Sequence, residues 1–165
     1  MPGYVIHLAV GKVYLRDNKV EDLKEFERGI IAPDLAQDKS KSHYGPYSSK
    51  PDLNRYIELN GKLDDFKEGY FLHLLTDHLF YNKFLPSWSN DIYDDYNKLN
   101  MTLIKRYGII VPKEVQDIVQ YEDGNPKILN ENELYCFIEA VGKINIREMF
   151  LSKDVDLDEE LSIDF

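Results

Sequence analysis

The segment from Phe66 to Phe84 is the feature that most restricts how this chain can fold. Apolar residues predominate between residues 71 and 80, and Pro86 follows closely enough to end a helix there. A helix that is apolar on nearly every side has to lie inside a core. His73 and Asp77 are four residues apart in this segment and therefore share one helix face. Because a buried carboxylate needs a partner, the segment predicts either a metal site or a His73–Asp77 hydrogen bond.

The other apolar patterns of the chain are also helical. They predict helices over residues 4–15, 20–31, 92–107, 112–121 and 132–144. Pro33 is expected to end the second of these, because the residue before a proline avoids helical geometry. Residues 36–53 are rich in Lys, Ser, Gly and Pro and predict a long loop, while residues 53–63 predict at most one small hairpin with its turn at Asn60-Gly61. The expected fold is all-α, a single helical domain with long loops.

Length and charge set the limits of the domain and of its partners. We expect a helical metal-binding domain over residues 1–150 and an acidic tail over residues 151–165, which hold six acids and one lysine. The net charge of -10 argues against a nucleic-acid surface, because phosphate binding needs a basic stripe. The N-terminus shows no signal-peptide pattern and no apolar stretch approaches membrane-span length. A cytoplasmic location is therefore expected.

All four histidines lie within the first 78 residues, and each has an alternative to a functional role. His7 stands among apolar residues and is alternatively a core histidine, whereas His43 lies on the long loop and is alternatively an idle surface side chain. His78 lies about 140° around the helix from His73. It cannot share a metal with His73 unless the helix distorts, and it remains a candidate pocket residue. Asp34 follows Pro33 at a helix exit, where an aspartate commonly forms a turn or cap.

The order of these residues resembles the zinc-dependent phospholipase C family. The matching elements are His7 in the first helix, Gly29-(three residues)-Pro33-Asp34, His43 followed by Tyr44, and the helix motif Gly69-Tyr70-x-x-His73-x-x-x-Asp77. They follow the family in order and spacing from residue 7 to residue 77. The central helix motif is the most specific of them.

The resemblance implies a helical fold like that of the zinc-dependent phospholipases C and single-strand nucleases. It implies four zinc ligands on this chain, namely His7, His43, His73 and Asp77. Asp77 is expected to bridge two ions, and Asp34 is expected to orient or deprotonate the attacking water. Family members with three zinc ions use further histidines after the central helix, and this chain has none after His78. One or two zinc ions are therefore expected.

Four further residues are candidates for the wall of a pocket. Tyr44 and Tyr70 belong to the matching motifs themselves. Asp95 and Asn100 lie in an Asp-aromatic-x-x-Leu-Asn segment that resembles small cytoplasmic relatives. The alternative for this second pair is a solvated helix face.

The function that the resemblance implies is metal-dependent hydrolysis of a phosphate ester, either a phosphodiester or a phosphomonoester, through a metal-activated water. The substrate would be a small molecule or a lipid headgroup. One alternative is a phosphohydrolase of the HD type, but that family needs an adjacent His-Asp pair and this chain offers the reverse order, Asp77-His78. The other alternative is a non-catalytic helical module with a structural or vestigial metal site.

Overall fold

The central apolar segment folds as a helix, α5 (Asp65–Leu79), which continues as a π-helical turn over Phe80–Phe84. Every residue from 71 to 77 is buried, so the helix is surrounded by the core on all sides. The structure is a computed structural model that describes residues 3–153. Within that range the chain forms eight α-helices and no strand, which confirms the predicted all-α fold.

Seven further helices complete the described chain. They are α1 (Tyr4–Asp17), α2 (Leu23–Leu35), α3 (Lys39–Ser42), α4 (Leu53–Asn60), α6 (Ile92–Tyr107), α7 (Glu131–Gly142) and α8 (Ile146–Ser152). In all but α1 and α6, an Asp or Asn side chain precedes the helix and accepts a hydrogen bond from a backbone N–H of the first turn. These caps satisfy N–H groups that have no partner inside the helix. No helix among residues 3–153 combines the length and the apolar character that crossing a membrane would need.

Two glycines bring α2 and α5 into backbone contact. A Cβ atom added to Gly29 would lie 2.0 Å from the carbonyl oxygen of Phe66, and one added to Gly69 would lie 2.1 Å from that of Phe26. Only glycine fits at either position, because a Cβ cannot approach a backbone oxygen so closely. Both glycines belong to the motifs that the sequence singled out, and their contact carries the C-terminal end of α2 to the face of α5 that holds His73 and Asp77.

The predicted hairpin over residues 53–63 is wrong, because α4 occupies most of that segment. Asp52 caps the helix by accepting from the N–H of Arg55. Leu53, Tyr56 and Ile57 are its buried residues, and their spacing is that of a helix face rather than the alternation of a strand. The turn expected at Asn60-Gly61 is instead the end of this helix, with Gly61 at a φ of 60°.

Pro33 does not end α2, which continues to Leu35. A proline in the last turn removes only the hydrogen bond that its own N–H would have donated four residues back. The difference matters for the site, because Asp34 is the residue after Pro33 and is held on the helix rather than in a loop.

The C-terminal third also differs from the prediction. Residues 112–121 form only a 3-10 turn over Lys113–Val115, and Val115 is the buried residue of that stretch. α8 was not predicted; it buries Ile146, Met149 and Phe150 at helical spacing. The helix runs past the predicted domain boundary at residue 150, and most of the expected acidic tail lies outside the described residues.

Candidate metal centre

Five side chains from four parts of the chain meet inside the core. His7 comes from α1, Asp34 from the last turn of α2, His43 from the residue after α3, and His73 and Asp77 from α5. Each of these residues is at most 4% exposed. The sequence assigned a function to all five, and the fold brings them into one cluster, which we call the His/Asp cluster.

Four atoms of this cluster have the spacing of ligands around one metal ion. His43 Nε2 and His73 Nε2 lie 2.9 and 3.1 Å from Asp77 Oδ2, and they lie 3.5 and 3.4 Å from Asp34 Oδ1. A tetrahedral ion with ligands at about 2.0–2.1 Å holds neighbouring ligand atoms about 3.3 Å apart. The residues Asp34, His43, His73 and Asp77 could therefore hold a metal ion.

His7 faces the other oxygen of each carboxylate. Its Nε2 lies 3.1 Å from Asp77 Oδ1 and 3.9 Å from Asp34 Oδ2. Its ring is stacked on that of His73, with centroids 3.6 Å apart and planes 6° apart. Asp34 and Asp77 thus each direct one oxygen at the His43 and His73 pair and the second oxygen at His7.

Most polar atoms of the cluster have no hydrogen-bond partner among the described residues. These atoms are His7 Nδ1, His7 Nε2, Asp34 Oδ1, Asp34 Oδ2, His73 Nε2 and Asp77 Oδ1. Buried polar groups in folded proteins are almost always paired, and an exception needs an explanation. A bound cation explains it, because it accepts electron pairs from the carboxylates and imidazoles together.

Two of the imidazoles are oriented as metal ligands usually are. His73 Nδ1 lies 2.6 Å from the carbonyl oxygen of Ile30, and His43 Nδ1 lies 3.0 Å from that of Lys39. A carbonyl only accepts hydrogen bonds, so His73 Nδ1 carries the proton and donates it. His43 Nδ1 also lies 2.8 Å from the Ser42 hydroxyl, and its contact with the Lys39 carbonyl favours the same tautomer there. In the neutral ring this leaves the lone pair on Nε2, the nitrogen that faces the carboxylates. The bond from Nδ1–H to a carbonyl is the second hydrogen bond that metal-binding histidines typically make.

The charges of the cluster are strongly coupled. Burial opposes protonation of His73, but the negative charges of Asp34 and Asp77 outweigh it and raise the pKa of His73 to about 10. Burial likewise opposes ionisation of Asp34, but the neighbouring imidazoles hold its pKa at about 2. Burial and the nearby charge of His73 lower the pKa of His7. Without a cation, the two carboxylates therefore draw their balancing charge from protons on imidazole.

The predicted pocket residues near the cluster are only partly associated with it. Tyr70 donates a hydrogen bond from its hydroxyl to the carbonyl oxygen of Ser42, and burial, Tyr44 and Asp34 together raise the pKa of Tyr70. Tyr44 packs edge-on against Tyr70 and Tyr56 and adopts a φ of 60°. Both tyrosines therefore support the segment that carries His43. His78 lies outside the group of candidate ligands.

Asp95 and Asn100 do not belong to a solvated face, because both side chains are buried and hydrogen-bonded. Asp95 is fully buried and accepts hydrogen bonds at 2.7–2.9 Å from three consecutive backbone N–H groups, those of Lys127, Ile128 and Leu129. Asn100 donates to the carbonyl oxygen of Gln120 at 2.8 Å. Both residues hold the long connection between α6 and α7 against α6.

Two tyrosines next to the cluster were missed in the sequence. Burial and the charge of Asp34 raise the pKa of Tyr4 to about 12. Burial also raises the pKa of Tyr96, and Tyr93 and the charges of Asp77 and Asp34 raise it further. The hydroxyl of Tyr96 is buried without a hydrogen-bond partner in the described chain. Tyr4 precedes His7 by three residues and so lies beside it on α1, a signal that helical spacing contained. Tyr96 is the aromatic residue of the Asp-aromatic-x-x-Leu-Asn segment, of which only Asp95 and Asn100 were taken as candidates.

Comparison with known proteins gives no relative for this chain. No protein-family model, no curated protein and no solved structure matches it.

Proposed function

We propose that this chain is a metal-dependent hydrolase that acts on a phosphate ester, with one or two zinc ions held in the His/Asp cluster. One observation carries the proposal. Asp34 and Asp77 each present their two oxygens to different imidazoles, with His43 and His73 on one side and His7 on the other. Carboxylates that face two sets of ligands are the arrangement that bridges a pair of cations, and paired cations are common in enzymes that cleave phosphate esters.

The residues present fit such ions in number and in chemistry. One side has two imidazole and two carboxylate atoms, which completes a four-ligand set. The other side has His7 and the two remaining carboxylate oxygens, which leaves a position for water or substrate. Mixed imidazole and carboxylate ligands suit zinc and its first-row neighbours. When bound, such a cation lowers the pKa of a coordinated water to about 7 and neutralises charge on a phosphoryl oxygen.

Asp34 would serve in this site as a ligand that also orients water. Its oxygens stand as close to the imidazoles as ligand atoms do. The two roles that the resemblance implies for Asp34, orientation of the attacking water and its deprotonation, are both compatible with that position.

A second candidate is favoured by the burial of the cluster. All five residues are at most 4% exposed, and structural metal sites are closed whereas catalytic ones keep an accessible position. In that case the metal would join α1, α2, α5 and the His43 segment without turnover. The HD-type alternative has less support, because His78 stands outside the ligand group and no adjacent His-Asp pair contributes to it.

The test compares two histidines on the same helix, His73→Ala and His78→Ala. We expect elemental analysis to find one to two equivalents of zinc in the wild type and in His78→Ala. His73→Ala should lose at least about 10²-fold in zinc affinity and lose hydrolysis of a chromogenic phosphodiester or monoester with it. A full zinc content without turnover of either ester would reject the hydrolase and leave the structural site. Absence of bound metal from the wild type, even after incubation with zinc, would reject both.

A further inference from the structure

An aromatic cleft lies next to the segment that carries His43 and shares Lys39 with it, while none of the five cluster residues lines it. It is a cavity of about 490 Å³, within the range of roughly 300–1,000 Å³ that is typical of small-ligand sites. Four aromatic residues line it, namely Tyr47, Tyr81, Trp88 and Tyr93. Lys39, Ser48 and Ser49 supply its polar wall.

The aromatic side chains of this cleft are unusually exposed. Tyr47 is 65%, Trp88 58% and Tyr93 45% exposed, and Trp88 is the only tryptophan of the chain. Large aromatic side chains contribute most to stability when they are buried. Three of them around one cavity therefore offer flat faces on which a ring of a ligand can stack.

The wall of the cleft is joined to the cluster through Lys39. The Lys39 ammonium donates to the carbonyl oxygens of Asp34 and Ala36, and the Lys39 carbonyl accepts from His43 Nδ1. An ammonium has three N–H donors, so one remains for an oxygen of a ligand. The same residue thus borders the cleft and contacts the backbone or ring of two candidate ligands.

A second connection runs through tyrosines. The Tyr93 ring packs edge-on against Tyr96 with centroids 5.9 Å apart, and Tyr96 is close enough for the charges of Asp77 and Asp34 to act on it.

The hydroxyl of Tyr81, on the cleft wall, is buried without a partner in the described chain. Asn82 donates to the carbonyl of Ser49 and to that of His78. The loop side of the cleft is therefore fastened to the end of α5.

We infer that the aromatic cleft is the substrate-binding site of the chain and takes a phosphate monoester whose organic part presents a flat ring face. The aromatic faces would hold the ring, the serine hydroxyls and the Lys39 ammonium would meet its polar groups, and the phosphate would point toward the cluster. The shared chemistry, a ring face and an anionic ester, occurs in sugar phosphates and in mononucleotides. The inference rests on the proposed function for the reaction, while binding in the cleft is measured independently of it.

Trp88 makes the binding test direct, because its fluorescence reports only this cleft. Zinc-loaded protein is titrated with glucose 6-phosphate, adenosine 5′-monophosphate and glycerol 3-phosphate, which has the anion without a ring. We expect a saturable change with at least one ring ester, and binding of glycerol 3-phosphate that is weaker by roughly tenfold or more. The ester that responds identifies the source of the ring. Equal affinity for glycerol 3-phosphate, or no response to either ring ester, would overturn the inference.

Two variants separate a stacking role from a structural one. Tyr93→Ala should weaken the ring ester by roughly tenfold, whereas Tyr121→Ala, which removes a tyrosine of similar exposure outside the cleft, should leave its affinity unchanged. Matching thermal unfolding curves show that both variants are folded, and Tyr47→Ala replaces Tyr93→Ala if the latter is not. Unchanged affinity in the folded cleft variant would overturn the inference.

Phosphate release recorded in parallel separates the two proposals. Saturable binding without release would support the cleft as a binding site and reject hydrolysis of the bound monoester. Release that is unaffected by the cleft variant would support the hydrolase and reject the cleft as its binding site.

Discussion

Asp77 and Asp95 are both fully buried helical aspartates, and their surroundings are opposite. Asp95 receives three backbone N–H groups, so its charge is balanced by the protein itself. Asp77 faces three imidazoles, and its Oδ1 has no hydrogen-bond partner in the described chain. Equal burial therefore says little about function. What distinguishes the two sites is whether the groups around the carboxylate balance its negative charge or leave room for a cation that does so.

Zinc should separate the two sites most clearly. At a zinc concentration about a thousandfold above the dissociation constant, binding to the folded state adds about 4 kcal/mol to the free energy of unfolding. Urea unfolding with zinc and with a chelator measures this increment. Asp95→Asn should lower the free energy of unfolding both with zinc and with the chelator. The difference between the two values should stay unchanged, because Asp95 is not part of the cluster. An Asp77→Asn protein that keeps the full increment would show that Asp77 is not a ligand.

Removal of the Asp95 carboxylate gives the next largest effect. Asp95→Ala leaves three backbone N–H groups, one buried and two part-buried, without their acceptor, and we expect the free energy of unfolding to fall by about 3 kcal/mol. Zinc content should stay at the wild-type value. Asp94→Ala is the matched control, since Asp94 is exposed on the same helix, and it should change stability by no more than about 0.5 kcal/mol. Loss of zinc from folded Asp95→Ala would show that zinc binding depends on Asp95, and that the two sites are not independent.

Proton release on zinc binding gives the smallest and most specific signal. The pKa of His73 is about 10 in the cation-free cluster, so at pH 7 this ring holds a proton that zinc must displace. The pKa of His43 is raised as well, because Asp34 and Asp77 outweigh its burial. Zinc affinity should therefore rise with pH through neutrality, by about tenfold per pH unit for each proton displaced, and fall as the pH drops. Titration in a weakly buffered solution counts the protons. A count of zero would mean that the carboxylates are balanced in another way.

The sequence was informative wherever the partners of a residue follow a repeating pattern. α6 begins and ends at the predicted residues, 92 and 107, because its apolar residues recur at helical period. The five members of the His/Asp cluster were predicted because their order resembles that of the zinc-dependent phospholipase C motifs. Those motifs also contain Gly29 and Gly69, whose close approach to the opposite backbone was visible only in the fold.

The roles of Asp95 and Asn100 could not be predicted for a physical reason. Their partners are backbone groups 20–34 residues away, and a backbone N–H or carbonyl leaves no mark in the residue types. The segment that supplies these groups has no regular period. Residues 53–60 were misjudged for another reason, since eight residues are too few to separate helical from strand spacing. The zinc identity, the turnover and the cytoplasmic location remain predictions.

The close approach of Gly29 and of Gly69 to the backbone of the opposite helix has a consequence for which metal the chain can select. Peptide groups have no rotamers, so the separation of α2 from α5 is set by main-chain atoms that side-chain repacking cannot adjust. The distance between the Asp34 and Asp77 carboxylates inherits that separation. Proteins discriminate among divalent ions largely by the geometry they impose. The residues that set this geometry, Gly29 and Gly69, therefore lie one helical turn or more away from the candidate ligands. Replacing either glycine with alanine would keep every candidate ligand but would change the separation of α2 and α5 that sets the distance between the Asp34 and Asp77 carboxylates.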